Sequence, residues 1–257
     1  MRIAAALIWG LFFSLLALSA PKASAQLAGP LAAPAVSGRY ASIAVDADSR
    51  EILHARQIDA LRYPASLTKM MTLYLAFDAI DNGTLSLDEH LTISVNAASQ
   101  VPVKLGLRAG AKISVHDAVQ ALAVKSSNDI AVALAERIGG NEINFAAMMT
   151  RKAGALGMGA TTYRNASGLP DPLQVTTARD QAKLADNILR NHRRHYHYFG
   201  QKTFRWKGRA LANHNTLLGR VAGVDGFKTG YTRASGYNLT ISAQRNGRRI
   251  IAVVLGG

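Results

Sequence analysis

Tyr63-Pro64-Ala65-Ser66-Leu67-Thr68-Lys69-Met70-Met71-Thr72 decides how the rest of this 257-residue chain is read. Pro64 disfavours a helical conformation for Tyr63, which sets a helix start just beyond it. Ser66 then falls in a first turn, where N–H groups have no partner inside the helix. Leu67, Met70, Met71, Tyr74 and Phe77 recur at helical spacing, while Leu73, Leu75 and Ala76 fill other faces. A helix apolar nearly all round belongs in a core, and Asn82-Gly83 supplies its stop. Ser66 and Lys69 share a face of it, with Cβ atoms roughly 5–6 Å apart at this spacing. Serine is a weak nucleophile until a neighbouring base takes its proton. A lysine can be that base if burial strips its own proton.

Upstream, residues 40–45 and 51–55 read as two short strands joined by a turn at Ala47-Asp48-Ser49-Arg50. Before them, residues 26–38 are rich in Ala, Pro and Gly and read as a linker. Met1 and Arg2, an apolar run from Ile3 to Leu18, and Ala23-Ser24-Ala25 make a secretory signal peptide at 1–25, cleaved after Ala25. The run is short for a membrane anchor, and Pro21 interrupts its end. A product exported across the inner membrane to the periplasm or cell envelope is expected, with residues 39–257 as its folded domain.

Downstream, residues 85–112 carry loop signals at Pro102, Gly106 and Gly110 and no clear period. Ser114, with Asp117 three residues on, caps a helix reaching about Val124. Lys125-Ser126-Ser127-Asn128 breaks the pattern, and helices follow over 129–138 and 142–156. Ser126 and Asn128 therefore stand on a helix-to-helix turn. Residues 165–172 form a loop, and 177–190 a helix capped by Thr176 or Thr177. Strands follow over 202–206, 209–211, 226–232, 237–245 and 248–255, the last two joined at Asn246-Gly247. Strands at both ends and helices between them predict an α+β fold, an antiparallel sheet built from both termini with a helical region packed on it.

An apolar fraction of 49% with 18% charged residues is globular composition. The absence of cysteine excludes disulfides, thiol catalysis and Cys-bound zinc. A net charge of +14 favours anionic partners. Behind a signal peptide these are anionic lipid, wall polymer or a carboxylate-bearing substrate rather than nucleic acid. Residues 189–209, basic and interleaved with aromatics, are the segment that would meet an anionic membrane surface, or simply form a solvated basic face. His192, His195 and His197 invite a metal reading, which Arg193 and Arg194 among them oppose.

Ser-x-x-Lys alone arises about once by chance in such a chain, because both residues are common. Ser19-Ala20-Pro21-Lys22 is such a copy and leaves with the signal peptide, and Ser94-Val95-Asn96 imitates Ser126-Ser127-Asn128 without helix ends around it. Taken singly, Ser66 reads as a helix-start serine and Lys69 as a solvated helix lysine. The ordered set is different: Ser66-x-x-Lys69 at a helix start, Ser126-x-Asn128 at a turn and the single Lys228-Thr229-Gly230 on a strand. It is the triplet of the penicillin-binding proteins and class A β-lactamases.

The fuller stretches are closer still. Residues 64–72, Ser126-Ser127-Asn128-Asp129, Asn165-Ala166-Ser167-Gly168-Leu169-Pro170-Asp171 and Gly223-Val224-Asp225-Gly226-Phe227-Lys228-Thr229-Gly230-Tyr231-Thr232 resemble the landmarks of the low-molecular-mass D-alanyl-D-alanine carboxypeptidases, serine peptidase family S11. The resemblance runs from about Tyr40 to Gly257 and implies the serine β-lactamase/penicillin-binding-protein-like transpeptidase fold. It departs at Tyr231, where many relatives carry histidine, and at Ser235, where alanine is common. Relatives also continue beyond the strand on which this sequence stops, so the C-terminal end of the domain is expected to be truncated.

The resemblance assigns roles. Ser66 is the nucleophile toward the terminal D-Ala-D-Ala bond of a peptidoglycan pentapeptide, Lys69 its general base, Ser126 a proton relay, and Asn128 holds the lysine and the substrate amide. Lys228, Thr229 and Gly230 bind the terminal carboxylate and backbone, and the N–H groups of Ser66 and Tyr231 form an oxyanion hole. No metal or organic cofactor is implied, and β-lactams are expected to acylate Ser66 as covalent inhibitors. Two enzyme alternatives stay open: a serine β-lactamase, for which the 165–172 loop offers Asp171 but no glutamate, and a D,D-endopeptidase cutting crosslinks. A third, of another class, is a basic envelope protein that binds anionic surfaces.

Overall fold

The computed structural model describes residues 34–36, 38 and 40–257. The expected signal peptide at 1–25 lies outside the described residues, as does most of the expected linker at 26–38. The chain opens with the expected hairpin, β1 (Ala41–Asp46) and β2 (Ile52–Arg56). A single 3-10 turn at Ala65–Leu67 leads into α1 (Thr68–Asp81). Every residue of α1 from Thr68 to Phe77 is buried, as its all-round apolar pattern requires, and Asn82 is its C-cap.

The segment without a clear period holds two short strands, β3 (His90–Thr92) and β4 (Lys112–Ser114), paired antiparallel, with α2 (Val95–Ser99) between them. In α3 (Val115–Gln120), Ser114 Oγ accepts from the N–H of Asp117 at 3.1 Å, as the capping pattern predicts. The helix does not run on regularly to Val124. It widens into a π-helical turn at Ala121–Lys125 and stops at Ser126, whose φ of 62° and ψ of 38° are left-handed. Next come α4 (Asn128–Gly139), α5 (Glu142–Ala155) and α6 (Ala178–Asn191), the last capped by Thr177 Oγ1 accepting from Asp180 N–H at 3.1 Å.

A small hairpin, β5 (Thr203–Trp206) and β6 (Arg209–Ala212), stands apart from the main sheet. The chain then runs through β7 (Val224–Thr232), β8 (Gly236–Arg245) and β9 (Arg248–Leu255). Asn246 and Gly247 both take positive φ, which a tight two-residue hairpin turn demands. The five strands assemble in the order β2-β1-β9-β8-β7, every neighbouring pair antiparallel, so both ends of the folded chain meet in one sheet.

Ile43 opposite Val253 and Val45 opposite Ile251 turn one face of that sheet to the core, where α6 packs against β1 and β9. The α1 helix lies among α4, α5 and α6. Its C-terminal end is held by Asp81, which accepts from Arg194 Nε at 2.8 Å and meets His195 Nε2 at 2.6 Å and His192 Nδ1 at 3.1 Å. These two histidines thus face a carboxylate and the ring of Phe77, while His197 sits against the Arg194 carbonyl at 2.8 Å. Among the described residues no cluster of His, Asp and Glu is disposed to hold a metal ion, and no helix is long and apolar enough to cross a membrane.

Candidate active site

Ser66 stands on the 3-10 turn and Lys69 one turn further, inside α1. The lysine is fully buried, and its Nζ has three oxygen neighbours. It lies 3.1 Å from Ser66 Oγ, donates to Asn128 Oδ1 at 2.7 Å, and makes a short contact to the carbonyl of Ser167. The count matters. A neutral amine has two N–H bonds and one lone pair, so Asn128 and Ser167 can take both hydrogens and leave the lone pair facing the Ser66 hydroxyl. Burial holds the Lys69 ammonium well below the usual lysine range, and the charge of Lys228 pushes the same way against the opposing carboxylate of Asp129.

Asn128 is fixed from both sides. Its Nδ2 donates to the Val101 carbonyl at 2.9 Å, its backbone N–H to Val103 at 2.7 Å, and its Oδ1 is thereby turned to Lys69. Asp129, fully buried, accepts from Leu105 N–H at 3.1 Å, Gly106 N–H at 2.9 Å and Ile130 N–H at 3.0 Å, which latches residues 101–106 onto the start of α4. Ser126 is buried at the left-handed turn, and its Oγ is without a hydrogen-bond partner among the described residues.

The β7 strand closes the other side. Gly230 approaches the Ser66 turn so closely that a Cβ there would stand 2.9 Å from Ser66 N and 3.2 Å from Ala65 Cβ. Only glycine lets the edge strand lie against the nucleophile's own N–H. Lys228 is 1% exposed, with Nζ no nearer than 3.5 Å to the Thr229 carbonyl, and burial brings its pKa down to about 7. A cleft of about 530 Å³ is lined by Ser66, Ser126, His214, Thr229, Gly230 and Tyr231, among others. The ordered triplet therefore converges: Ser66, Lys69, Ser126 and Asn128 on one wall, Lys228 to Tyr231 on the other.

Several contributors escaped the sequence reading. The Ser167 carbonyl is a backbone group, and the loop that carries it is tied down by Thr72 Oγ1 donating to Ala166 O at 2.7 Å and by Asn165 Oδ1 accepting from Gly168 N–H at 2.7 Å. Gly168, at φ 85°, would put a Cβ 1.9 Å from the Ala65 carbonyl oxygen, so the Ser167-Gly168 pair was the available signal for this close approach. Asn238 on β8 donates to the carbonyls of Tyr63 and Pro64 at 2.8 and 3.0 Å, clamping the approach to Ser66 onto the sheet. His214 stands on the segment before β7. It lines the cleft, and although its outer edge meets solvent, burial of the inner part with the charges of Lys228, Lys125 and Lys69 brings its pKa down to about 4.

The Peptidase S11 family model, described as D-alanyl-D-alanine carboxypeptidase, matches residues 31–257. The chain is 37% identical over 246 residues to the D-alanyl-D-alanine carboxypeptidase DacD of Salmonella typhimurium, covering 90% of this chain and 63% of that protein. It is 38% identical over 221 residues to DacD of Escherichia coli, covering 83% and 57% respectively. The solved structure of DacD from Francisella tularensis is similar with a TM-score of 0.82 and 34% identity, over 84% of this chain and 65% of that one. Penicillin-binding protein D2 from Listeria monocytogenes, in its ampicillin-bound form, is similar with a TM-score of 0.74 and 32% identity, over 84% and 88%. The chain spans a little under two thirds of the length of the two curated relatives. It belongs to the S11 family of serine peptidases, the D-alanyl-D-alanine carboxypeptidase family.

Proposed function

We propose that this chain is the catalytic domain of a serine D-Ala-D-Ala carboxypeptidase that removes the terminal D-alanine of peptidoglycan pentapeptides. The observation that carries the reading is the buried Lys69 amine, whose two N–H acceptors leave its lone pair 3.1 Å from Ser66 Oγ. As the amine takes the hydroxyl proton, Ser66 Oγ attacks the carbonyl of the penultimate D-alanine. The oxyanion forms at the N–H groups of Ser66 and Tyr231, where one donor is typically worth about 10²–10³ in rate. Ser126, with its unpaired hydroxyl, passes a proton to the departing D-alanine nitrogen, and water then releases the acyl group from Ser66.

Lys228 and Thr229 receive the terminal carboxylate. A carboxylate beside Lys228 favours the ammonium, so substrate binding itself recharges a lysine that burial holds near neutrality. A peptidoglycan substrate would put the enzyme in the cell envelope, a location that the signal-peptide pattern at 1–25 supports, with residues 39–257 as the exported domain. A β-lactamase reading is less well served: Glu142, the glutamate nearest the 165–172 loop in its bonding, is engaged by the Ala166 N–H at 3.0 Å. Whether crosslinked stems are also cut is read from the products released from crosslinked muropeptides.

Mass spectrometry after incubation with a penicillin tests the assignment. We expect an adduct of one penicillin on the wild-type protein, mapping to the peptide that contains Ser66 and missing from Ser66→Ala. An adduct elsewhere, or none on the wild type, overturns it.

A further inference from the structure

Glu142 opens α5, but that helix start is already capped by Asn141, whose Oδ1 accepts from Asn144 N–H at 2.8 Å. Glu142 Oε1 instead reaches a residue 24 positions along the chain and accepts from the Ala166 N–H at 3.0 Å. The other groups acting on its charge are the side chain of Asn96 on α2 and the like charge of Glu136 on α4. Glu136 is itself engaged by Ser94 Oγ at 2.9 Å and Asn96 Nδ2 at 3.1 Å. Burial and Glu136 hold the Glu142 carboxyl above its usual range, against the pull of the Ala166 N–H. Keeping a half-buried carboxylate beside another one costs the fold free energy, and what the chain gains there is a grip on Ala166.

That grip bears on the catalytic lysine. Ala166 precedes Ser167, whose carbonyl is one of the two acceptors that occupy the Lys69 amine. Ala166 is fully buried and held at both ends, its N–H by Glu142 and its carbonyl by Thr72 Oγ1 on α1 at 2.7 Å. The second acceptor, Asn128 Oδ1, is fixed separately through Val101. The amine's remaining freedom is rotation about its own bond, and the Ser167 carbonyl removes it. If that carbonyl drifts, the lone pair no longer faces Ser66 Oγ. We infer that Glu142 is a positioning residue for acylation: through the Ala166 N–H it fixes the Ser167 carbonyl against Lys69 and so keeps the lone pair of the amine on Ser66.

The inference rests on the acylation proposed above, and the experiment separates the two. Rapid mixing with a penicillin gives k2, the first-order rate constant of Ser66 acylation at saturation, apart from the non-covalent dissociation constant and from the fraction of protein finally labelled. Lost folding lowers the labelled fraction and leaves k2 untouched. Two variants divide reach from charge: Glu142→Gln keeps an acceptor oxygen at the same reach without the charge, and Glu142→Asp keeps the charge at the helix start but is one methylene shorter. We expect Glu142→Asp and Glu142→Ala each to lower k2 about tenfold at an unchanged dissociation constant, within what a small misplacement away from the reacting atoms can cost. Glu142→Gln should stay within about threefold of wild type, its neutral hydrogen bond being weaker than the charge-assisted one. Were charge at the helix start what matters, Glu142→Asp would be the faster of the two. That order overturns the positioning role, as does a wild-type k2 in Glu142→Ala or a loss confined to the labelled fraction or the dissociation constant, with Ser66 of the wild type labelled throughout. Absence of labelling at Ser66 in the wild type removes the acylation chemistry and the positioning role with it.

Discussion

Lys228 shows most directly what the site costs the fold. It is 1% exposed, and burial lowers its pKa to about 7, far below the usual lysine value. Between that value and about 10.4 the unfolded chain binds the extra proton, so stability rises with pH across this window. Below pH 7 the folded protein carries the buried ammonium and the full penalty, on the order of 5 kcal/mol as an upper bound. Lys228→Met should therefore melt higher than wild type near pH 6, with the difference shrinking as pH climbs through 7 toward 10. The same variant should raise KM for a D-Ala-D-Ala peptide at least about tenfold, since the carboxylate loses its counter-charge. Thermal denaturation across pH checks the first half, and equal melting temperatures at pH 6 would refute a buried-charge penalty. At this scale the sequence was legible wherever a side chain carries the chemistry at a fixed spacing, as with Ser66, Lys69 and Asn128. It was opaque for the Ser167 carbonyl, a backbone group marked in the sequence only by the neighbouring Gly168, and for Asn238, whose contact reaches 175 positions back to Tyr63.

The elements were readable in proportion to how local their causes are. The α1 helix, the Ser114 and Thr177 caps and the Asn246-Gly247 turn follow from residues within a few positions of one another. The π-helical turn at Ala121–Lys125 does not, and neither does the course of residues 101–106, whose anchors lie on α4. Asp129 is the latch between that strap and the helix start that carries Asn128. Replacing it by alanine leaves the part-buried N–H groups of Leu105 and Gly106 without their acceptor, and a hydrogen bond to a charged group contributes about 1.5–3 kcal/mol. We expect Asp129→Ala to lose about 3 kcal/mol in urea unfolding and to be acylated by penicillin more slowly in its folded fraction. The second effect arises because Asn128, which accepts from Lys69, loses the strap that orients it. An unchanged unfolding midpoint would show that the strap is held by something other than Asp129.

Across the whole molecule, the meeting of both chain ends in one sheet was legible because alternation marks strands at each end and the apolar helices need a face to cover. Charge is distributed far less evenly than the fold. From Ile188 to Gly257 the sequence holds thirteen lysines and arginines and one acidic residue, Asp225, so most of the net charge of +14 falls in the final 70 residues. Part of that excess is exposed on the β5–β6 hairpin, where Arg205, Lys207 and Arg209 have no carboxylate partner among the described residues. The hairpin's apolar side chains, Phe204, Trp206 and Leu211, turn toward the core, so its outer surface offers charge and little to insert into a bilayer. Attraction of this kind is screened within about 8 Å at physiological ionic strength. The protein should therefore sediment with vesicles rich in anionic lipid at about 20 mM salt and be released by about 300 mM. At about 1 kcal/mol for each basic side chain near such a surface, neutralising the three hairpin residues with Arg205→Gln, Lys207→Gln and Arg209→Gln should weaken association by about 100-fold. Ser66→Ala should sediment like the wild type, because the hairpin acts apart from the acylation chemistry. Binding insensitive to salt, or retained by the triple variant, would mean that the basic hairpin is only a solvated face.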